Sequence, residues 1–301
     1  MILVTGGLGF IGSHTTRALL DLGEDCVATA HRNLEPPEFL VGTPIEPLDC
    51  ADLTAFIALG EKYPITAIVH LASAPATGDP VDHLRESAAG VLNALTAAHR
   101  WGARIVVAST IGVYGGVPGD VYREDAPLPP IAPHAIPAAK KAAELYAAVA
   151  GQAGGFDATI ARIGAIWGPL GRTDSPFIAL PRLVHAAARG VAAARPGYAD
   201  DGTDLCYVAD CARGLALLAT AARLRHRTYN VAAGRVTTDA EVAAAIRAVR
   251  PDAPVGLLPG ATHEAARMDV SRLTADTGYR PEYDVRRGVA EYLRWLETHP
   301  R

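Results

Sequence analysis

Cysteine, lysine and long apolar runs are all scarce in this chain of 301 residues, and the shortages of cysteine and of apolar runs each exclude a class of protein. The four cysteines, Cys26, Cys50, Cys206 and Cys211, are scattered without CxxC spacing, so we expect reduced thiols in a cytoplasmic protein rather than a disulfide framework. The ten histidines show neither HxxxH nor HExxH spacing, which predicts that there is no metal site. The apolar runs are too short to span a bilayer, and the first residues do not resemble a secretion signal.

Charge is balanced in the chain, which carries 28 basic and 32 acidic residues and a net charge of −4. Proteins that bind nucleic acid need a basic surface, so we expect a small-molecule substrate and neither nucleic acid nor membrane as a partner. Only three residues are lysines, and two of these, Lys140 and Lys141, are adjacent. A solvated helix face is the ordinary place for such a pair, but its rarity here makes it a candidate for function.

Strand and helix patterns alternate through the first half of the chain. Short apolar runs predict strands at 2–5, 25–30, 44–48, 66–71, 104–109 and 158–163, and amphipathic periodicity predicts helices at 10–22, 51–62, 82–101 and 138–150. This order is typical of an α/β protein with a doubly wound parallel Rossmann sheet and right-handed crossovers. Ligands of such sheets bind beyond the carboxyl ends of the strands, so functional residues are expected just after each apolar run.

The second half is less regular. Residues 124–137 are rich in proline and predict a loop, and the later helices are predicted at 177–188, 209–220, 239–249 and 285–297. We predict a nucleotide-binding Rossmann domain over residues 1–164 with a return segment at about 203–234. Residues 165–202 and 235–301 are predicted to form a smaller substrate-binding region.

A glycine-rich turn follows the first predicted strand, in the sequence Thr5-Gly6-Gly7-Leu8-Gly9-Phe10-Ile11-Gly12. In this pattern Gly6 permits a tight turn, Gly9 lets a pyrophosphate approach the backbone, and Gly12 lets the helix pack close to the strand. The helix N-terminus offers free N–H groups and the positive end of its dipole to phosphates. An ordinary glycine turn is the alternative, but the strand before it and the helix after it favour dinucleotide binding.

Further motifs occur along the whole chain: LDCAD near residue 50, IVHLAS at 68–73, VVASTIGVYG at 106–115, ARIGAIWGP at 161–169, YVADCARG at 207–214 and TYNVAAG at 228–234. With the glycine turn, they make the chain similar to the extended short-chain dehydrogenases/reductases, the group that contains sugar-nucleotide epimerases and dehydratases. The resemblance implies a nicotinamide cofactor and hydride transfer. It also implies a Ser or Thr, a Tyr and a Lys around the reacting carbon.

The residues after the second strand predict which nicotinamide cofactor binds. Members that use NAD place an Asp there for the ribose 2′-OH, whereas this chain has Ala30 followed by His31, Arg32 and Asn33. A guanidinium pairs with a 2′-phosphate, so we predict NADPH/NADP+, bound by Arg32 with help from His31 or Asn33. The alternative is that Arg32 is an ordinary surface arginine. The resemblance also places Asp49 near the adenine amino group. The other predicted cofactor contacts are Phe10, Ile11, Cys50, Leu71, Ala72, Ser73, Lys140 and Ile163.

The tyrosine that the resemblance implies is missing. Lys140 stands four residues before Glu144, which matches the Tyr-x-x-x-Lys motif and puts Ile136 at the tyrosine position. If Lys141 sets the register, the position becomes Pro137, and neither side chain can donate a proton. A placed general acid contributes about 10²–10⁴-fold to the rate. We predict Thr110 and Lys140 as the remaining catalytic residues: Thr110 polarises the carbonyl oxygen and Lys140 holds the nicotinamide ribose.

Three functions are compatible with this loss. The chain could reduce a ketone whose proton comes from the substrate, from a water held by Thr110, or from Tyr207, Tyr122 or His134. It could be a non-catalytic NADPH-binding sensor. It could also be a sugar-nucleotide epimerase or dehydratase with a displaced acid.

Two further departures concern the substrate. Ala165 and Thr203 stand where sugar-nucleotide members usually have an Asn and an Arg that hold the diphosphate. These losses favour the ketoreductase, acting on an uncharged aromatic or polycyclic ketone of the kind found in antibiotic biosynthesis. The predicted substrate contacts are Ser73, Thr110, Ile136, Ile166, Trp167 and Phe177. For Trp167 or Phe177 alone, core packing is the ordinary role. The predicted assembly is a monomer or a homodimer.

Overall fold

The structure is a computed structural model that describes residues 1–74 and 78–299. Within these residues the helices are α1 (Phe10–Asp21), α2 (Leu53–Lys62), α3 (Pro80–Trp101), α4 (Ala135–Gly154), α5 (Leu180–Ala188), α6 (Val208–Thr220), α7 (Asp239–Val249), α8 (Ser271–Thr277) and α9 (Val285–Thr298). The strands are β1 (Ile2–Thr5), β2 (Cys26–Ala30), β3 (Ile45–Pro47), β4 (Ala67–His70), β5 (Arg104–Thr110), β6 (Val121–Tyr122), β7 (Ala158–Ile163), β8 (Ala165–Trp167), β9 (Gly197–Tyr198), β10 (Gly202–Thr203), β11 (Leu205–Tyr207), β12 (Thr228–Val231), β13 (Thr237–Thr238), β14 (Leu257–Leu258) and β15 (Arg267–Met268). Short 3-10 helices occur at Glu38–Leu40 and Ile111–Tyr114.

The central sheet has seven strands in the order β12-β7-β5-β4-β1-β2-β3, and every neighbouring pair is parallel. The order reverses direction between β1 and β4, which makes a topological switch point at their carboxyl ends. This confirms the predicted α/β class with a doubly wound parallel sheet. A ligand is expected in the crevice at the ends of these two strands.

Helices cover both faces of the sheet because successive side chains of each strand point to opposite sides. In β1, Ile2 and Val4 belong to the core that also contains residues of α1 and α6. Leu3 lies between them and belongs to the core packed by α2, α3 and α4. The near-continuous apolar strands seen in the sequence are therefore buried on both faces.

A third core lies in the second half of the chain, where α5, α7 and α9 pack together around residues such as Leu183, Ile246 and Leu293. The chain enters this region through β8, which follows β7 after one glycine and pairs in parallel with β11. This third core is therefore attached at the carboxyl edge of the sheet. The domain boundaries at 164, 203 and 234 stay a prediction.

Several helix boundaries differ from the predicted ones. α4 begins at Ala135 rather than 138, so the predicted loop at 124–137 is wrong for its last residues. Pro137 is compatible with this start because the first turn of a helix needs no backbone N–H from it. α5 begins at Leu180 rather than 177, and α3 begins at Pro80 rather than 82. The Asp79 carboxylate caps α3 by accepting bonds from the N–H groups of the next turn.

The sequence patterns also missed α8, the edge strand β12 of the central sheet, and the two-stranded pairs β6–β15, β8–β11, β9–β14 and β10–β13. These elements are only two to seven residues long, too short for a hydrophobic period to show. No helix within residues 1–74 and 78–299 is both long enough and apolar enough to cross a membrane.

Candidate active site

The glycine turn has the geometry of a phosphate cradle. Gly6 has a φ of +65°, in the left-handed region that favours glycine. A Cβ on Gly12 would stand 2.0 Å from the carbonyl oxygen of Gly6, so the helix packs against the turn at a distance that excludes any side chain there. Gly9 is the N-cap residue of α1 and donates its own N–H to Gly6 at 2.9 Å.

The N-terminus of α1 is open to an anion. It has no side-chain cap, and its first turn contains no acidic residue. The first N–H groups of a helix lack partners inside the helix, and they lie at the positive end of its dipole. The residues present therefore fit the pyrophosphate of a dinucleotide.

Two cavities meet at this turn. The adenine-side cavity, of about 920 Å³, and the nicotinamide-side cavity, of about 420 Å³, share Gly6, Gly9, Leu71 and Ser73. The adenine-side cavity also contains the predicted residues His31, Arg32, Asn33, Asp49, Cys50 and Ala72. The nicotinamide-side cavity also contains the predicted residues Phe10, Ile11, Gly12, Thr110, Lys140, Ile163, Ile166 and Trp167. Together they form a crevice around the switch point, with the phosphate cradle in the middle.

The adenine-side cavity contains charges of both signs. His31 Nε2 lies 3.8 Å from a carboxylate oxygen of Asp49, and both side chains are more than half exposed. Arg32 lines the same cavity and makes no ion pair within the described residues. The side-chain oxygen of Asn33 accepts the backbone N–H of Glu35 at 3.0 Å, which leaves its amide N–H groups available. Glu35 also lines this cavity, and its negative charge would repel a 2′-phosphate. The positive charge of Arg32 is therefore needed to offset this repulsion if a 2′-phosphate binds here.

Thr110 is the last residue of β5 and faces the nicotinamide-side cavity. Its hydroxyl oxygen accepts the N–H of Gly112 at 3.2 Å, so its proton is available to a carbonyl oxygen. Lys140 lines the same cavity from α4 and makes no ion pair within the described part of the chain. Burial lowers the pKa of Lys140 from 10.5 to about 8. A pair of ribose hydroxyls is a suitable partner for such an ammonium group.

A buried ion pair holds α4 against the sheet one turn beyond Lys140. Glu144 accepts two close bonds from the Arg162 guanidinium, at 2.8 and 3.0 Å, and a third from the Ser109 hydroxyl at 2.5 Å. Arg162 also donates to the Tyr114 hydroxyl at 3.0 Å. The network joins α4 to β5 and β7, and thereby positions Lys140. Sequence reasoning used Glu144 only to set the register and did not identify the network.

Two of the predicted substrate contacts, Ile136 and Phe177, lie outside the nicotinamide-side cavity, and a third, Trp167, is almost fully buried in its wall. Ile136 does not line the nicotinamide-side cavity but a void of about 20 Å³ that it shares with His70 and Lys140, because it faces α3 from the first turn of α4. Phe177 is 66% exposed, lies before α5 rather than in it, and stacks on the ring of His134. Trp167 does line the cavity, but its ring is 2% exposed and packs edge-on against a tyrosine of the third core.

No tyrosine of the described residues lines either cavity. Tyr207 donates its hydroxyl to Glu291 at 2.9 Å inside the third core, where burial raises its pKa. Tyr122 stacks on Tyr114 with 4.8 Å between the ring centres. These side chains, like His134, are outside the nicotinamide-side cavity, so the structure does not support them as proton donors.

The sequence reasoning missed two polar residues near the reacting region. Arg172 is exposed and lines the nicotinamide-side cavity, where only its position after the Gly168-Pro169 turn could have indicated it. His70 ends β4, with Nδ1 2.9 Å from the Thr5 hydroxyl. Burial, together with the Lys140 charge, lowers the pKa of His70 to about 3, so its ring is neutral. The described residues contain no group of three or more His, Cys, Asp or Glu side chains that could hold a metal.

Known proteins are similar to this chain in sequence and in fold. The model of the NAD dependent epimerase/dehydratase family matches residues 2–232. The chain is similar to a UDP-glucose 4-epimerase of Azospirillum brasilense, 31% identical over 211 residues that make up 67% of this chain and 60% of that protein. It is also similar to a dTDP-glucose 4,6-dehydratase of Streptomyces griseus, 28% identical over 315 residues that cover 99% of this chain and 94% of the relative. The solved structure of the Thermus thermophilus UDP-glucose 4-epimerase with NAD is 27% identical, has a TM-score of 0.82 and is covered to 98% in both chains.

The chain therefore belongs to the NAD dependent epimerase/dehydratase family, which confirms its resemblance to the extended short-chain dehydrogenases/reductases. The family and the phosphate cradle together support a nicotinamide dinucleotide as the cofactor. The names of the relatives refer to sugar nucleotides, so the comparisons support the epimerase or dehydratase alternative better than the ketoreductase. The preference for NADPH stays a prediction.

Proposed function

We propose that the chain reduces a ketone with a nicotinamide dinucleotide and takes the proton from a hydroxyl group of the substrate. The observation that carries this proposal is the pairing of Ile136 with Lys140 in the first turns of α4. The lysine of the family motif is present, and the side chain one turn before it is a hydrocarbon. The part of the chain that is described offers no tyrosine at either cavity in its place.

The direction of the reaction follows from this loss. An epimerase or dehydratase begins by oxidising a sugar hydroxyl, which needs a base to accept the hydroxyl proton. A sugar hydroxyl is a very weak acid, so a neutral threonine at the site cannot replace a phenolate. Reduction of a ketone needs the opposite, a proton for the developing alkoxide. An acidic hydroxyl next to the ketone supplies that proton without any protein acid.

The side chains have separate roles in this proposal. The N-terminus of α1 binds the pyrophosphate, and Lys140 holds the nicotinamide ribose. Thr110 donates a hydrogen bond to the carbonyl oxygen, where negative charge develops. The cofactor, when bound, supplies the hydride. When that hydride is delivered to the carbonyl carbon, the neighbouring hydroxyl of the substrate would give its proton to the carbonyl oxygen, and solvent would then reprotonate that hydroxyl.

The cofactor we propose is NADPH. Arg32 supports it because its guanidinium faces the adenine-side cavity without an ion-pair partner in the described residues. Ala30 supports it because no carboxylate occupies the position that would select a 2′-hydroxyl.

The substrate we propose is an aromatic, polycyclic ketone, such as an aromatic polyketide of the simocyclinone type. Ile163, Ile166 and Trp167 give the nicotinamide-side cavity apolar walls. Ser73 and Thr110 supply hydroxyl groups to the same cavity.

The second candidate is a sugar nucleotide, which the relatives' names favour. The structure adds one observation in its favour, since Arg172 places a positive charge in the nicotinamide-side cavity. A guanidinium there could pair with a diphosphate and replace the donors lost at Ala165 and Thr203. The two candidates differ in the net consumption of NADPH: reduction of a ketone consumes it, whereas epimerisation or dehydration of a sugar nucleotide does not.

The test compares a polycyclic aryl ketone that carries a hydroxyl beside the carbonyl with its O-methyl ether. We expect NADPH absorbance to fall with the free hydroxyl and to change about 10²-fold more slowly with the ether, the lower bound for a placed acid. Ile136→Tyr should increase turnover of the ether, because the small void that Ile136 lines shares Lys140 and Ser73 with the nicotinamide-side cavity, and the longer tyrosine side chain can extend its hydroxyl past Lys140 toward that cavity. Ile136→Phe is the matched control, with the same ring and no hydroxyl, and should not.

Equal rates for the hydroxy ketone and the ether would show that the substrate does not supply the proton. Interconversion of UDP-glucose and UDP-galactose, or loss of water from dTDP-glucose, without net consumption of NADPH would establish the sugar-nucleotide candidate instead. Tight cofactor binding with no turnover of any of these compounds would favour a sensor.

A further inference from the structure

A third cavity, of about 360 Å³, lies at the opposite end of the sheet from the glycine turn. It is formed by the first residues of β5 and β7 and by the segment 221–227 that joins α6 to β12, and we call it the amino-end cavity. Its charged and titratable lining residues are Arg104, Asp157, Arg223, Arg225, His226 and Arg227. None of them belongs to the two cavities at the cofactor site.

The amino-end cavity has a surplus of positive charge in a chain whose net charge is −4. Four guanidinium groups line it together with one carboxylate. Arg225 is neutralised by an ion pair with Asp276, whose carboxylate is buried beside it. Three of the four arginines make no ion pair within the described residues: Arg104, Arg223 and Arg227. Their three positive charges exceed the single negative charge of Asp157.

Among these arginines, Arg104 gives the strongest indication that the amino-end cavity binds an anion. Its side chain is partly buried, and the bond it makes in the structure is to the carbonyl oxygen of Ala221. A guanidinium withdrawn from water needs a compensating charge, and one neutral acceptor leaves most of its five donor hydrogens unused.

The segment that carries the other arginines is held in place before any ligand arrives. Leu224 packs against the core that α1 and α6 form with one face of the sheet. The N–H of Arg225 donates to Asp276 at 2.8 Å, and the N–H of His226 donates to the Tyr229 hydroxyl at 2.9 Å. Tyr229 in turn donates to Asp276 at 2.6 Å. Because the backbone of this segment is already ordered, the binding of a ligand would have to order only the side chains.

We propose that the amino-end cavity binds a compact, multiply charged phosphate anion such as a diphosphate. Arginine presents a planar fork of donors that fits two phosphate oxygens at once, and three such groups here lack a carboxylate. The cavity volume suits a small anion rather than a whole dinucleotide. Arg104 and Thr110 are the first and last residues of β5, so the site is about 20 Å from the hydride site, at 3.3 Å per residue.

Calorimetric titration of the protein with sodium pyrophosphate, in the presence of saturating NADP+, tests the proposal. The cofactor occupies the glycine turn, so any remaining binding belongs to another site. We expect one site per chain, an affinity that decreases with added salt, and a loss of at least about tenfold in Arg223→Ala/Arg227→Ala, the equivalent of roughly one lost charge-assisted contact. The control variant Arg286→Ala/Arg294→Ala removes two exposed arginines from α9 and should bind like the parent protein.

Three results would overturn the proposal: no heat in the parent protein at saturating NADP+, unchanged affinity in Arg223→Ala/Arg227→Ala, or an equal loss in the control variant. The last result would mean that only overall charge matters. Arg227→Glu provides an independent variant, and it should abolish binding while leaving the affinity for NADP+ unchanged.

Discussion

Arg32 is the residue on which the choice of cofactor depends, and replacing it by alanine should remove the preference for NADPH. The side chain lines the adenine-side cavity beside His31, and the described residues provide no carboxylate partner for it. Its free guanidinium can form a bidentate pair with the 2′-phosphate. NADH lacks that phosphate, so its affinity should not depend on Arg32.

The magnitude follows from the exposure of the site. A hydrogen bond to a charged group contributes about 1.5–3 kcal/mol, and solvent at this exposed position favours the lower half of that range. Each 1.4 kcal/mol is tenfold in affinity, so Arg32→Ala should weaken NADPH binding by about 10–30-fold. The affinity for NADH should change by less than about twofold, since no phosphate contact is lost.

Dissociation constants of NADPH and NADH, measured by quenching of protein fluorescence for the parent protein and Arg32→Ala, decide the matter. Arg286→Ala serves as the control for a generic loss of one positive charge. Raising the ionic strength should reduce the NADPH preference of the parent protein because the pair is exposed to solvent. Equal affinities for NADPH and NADH in the parent protein would refute the reasoning, as would a loss in Arg32→Ala that is the same for both cofactors.

Four more outcomes are expected. Thr110→Ala should lower kcat by about 10²-fold with unchanged NADPH affinity while Thr110→Ser retains activity, and unchanged kcat in the alanine variant would exclude an oxyanion role. Glu144→Gln should lower the free energy of unfolding by about 3 kcal/mol in denaturant titrations, because it leaves a buried guanidinium without its carboxylate; a loss below about 1 kcal/mol would contradict this. The folded state holds the pKa of Lys140 near 8, below its unfolded value, so between pH 8 and 10.5 the unfolded chain binds more protons at this residue. The cofactor-free parent protein should therefore gain stability relative to Lys140→Met as the pH rises through that window, and parallel stability curves for the two would be the contrary result. Finally, Leu145 and Val149 expose apolar side chains on α4, so we expect a homodimer that pairs through this face. The variant Leu145→Glu/Val149→Glu should dissociate, and light scattering should then give half the mass of the parent protein. A parent protein that is already monomeric would contradict the homodimer.

The glycine turn and the sheet could be predicted because their signals are local. Gly6 and Gly12 reflect backbone constraints between neighbouring residues, and each apolar run is long enough to show that a strand is buried on both faces. The crevice followed from the same order of elements, since parallel strands place their carboxyl ends along one edge. The position of Arg32 and Lys140 at this crevice could be predicted because they stand at fixed distances from these elements.

The network around Arg162 and the amino-end cavity could not be predicted in this way. Glu144 and Arg162 come from different elements, and Arg104 is more than a hundred residues from the segment that completes its cavity. Phe177 was misplaced for a related reason, because apolar character does not show whether a side chain enters a cavity or stacks on a loop.

The order of residues was thus sufficient for the α/β class, the phosphate cradle and the absence of a phenol at position 136, all of which depend on spacing along the chain. The three-dimensional arrangement was needed to exclude Tyr122 and Tyr207 as substitutes and to bring Arg172 into the nicotinamide-side cavity. Those outcomes depend on the packing of Tyr122 with Tyr114 in a small separate cluster, on the packing of Tyr207 in the third core, and on where the loop after β8 places Arg172. Such packing is a sum of many weak contacts between distant residues, and no local pattern encodes it.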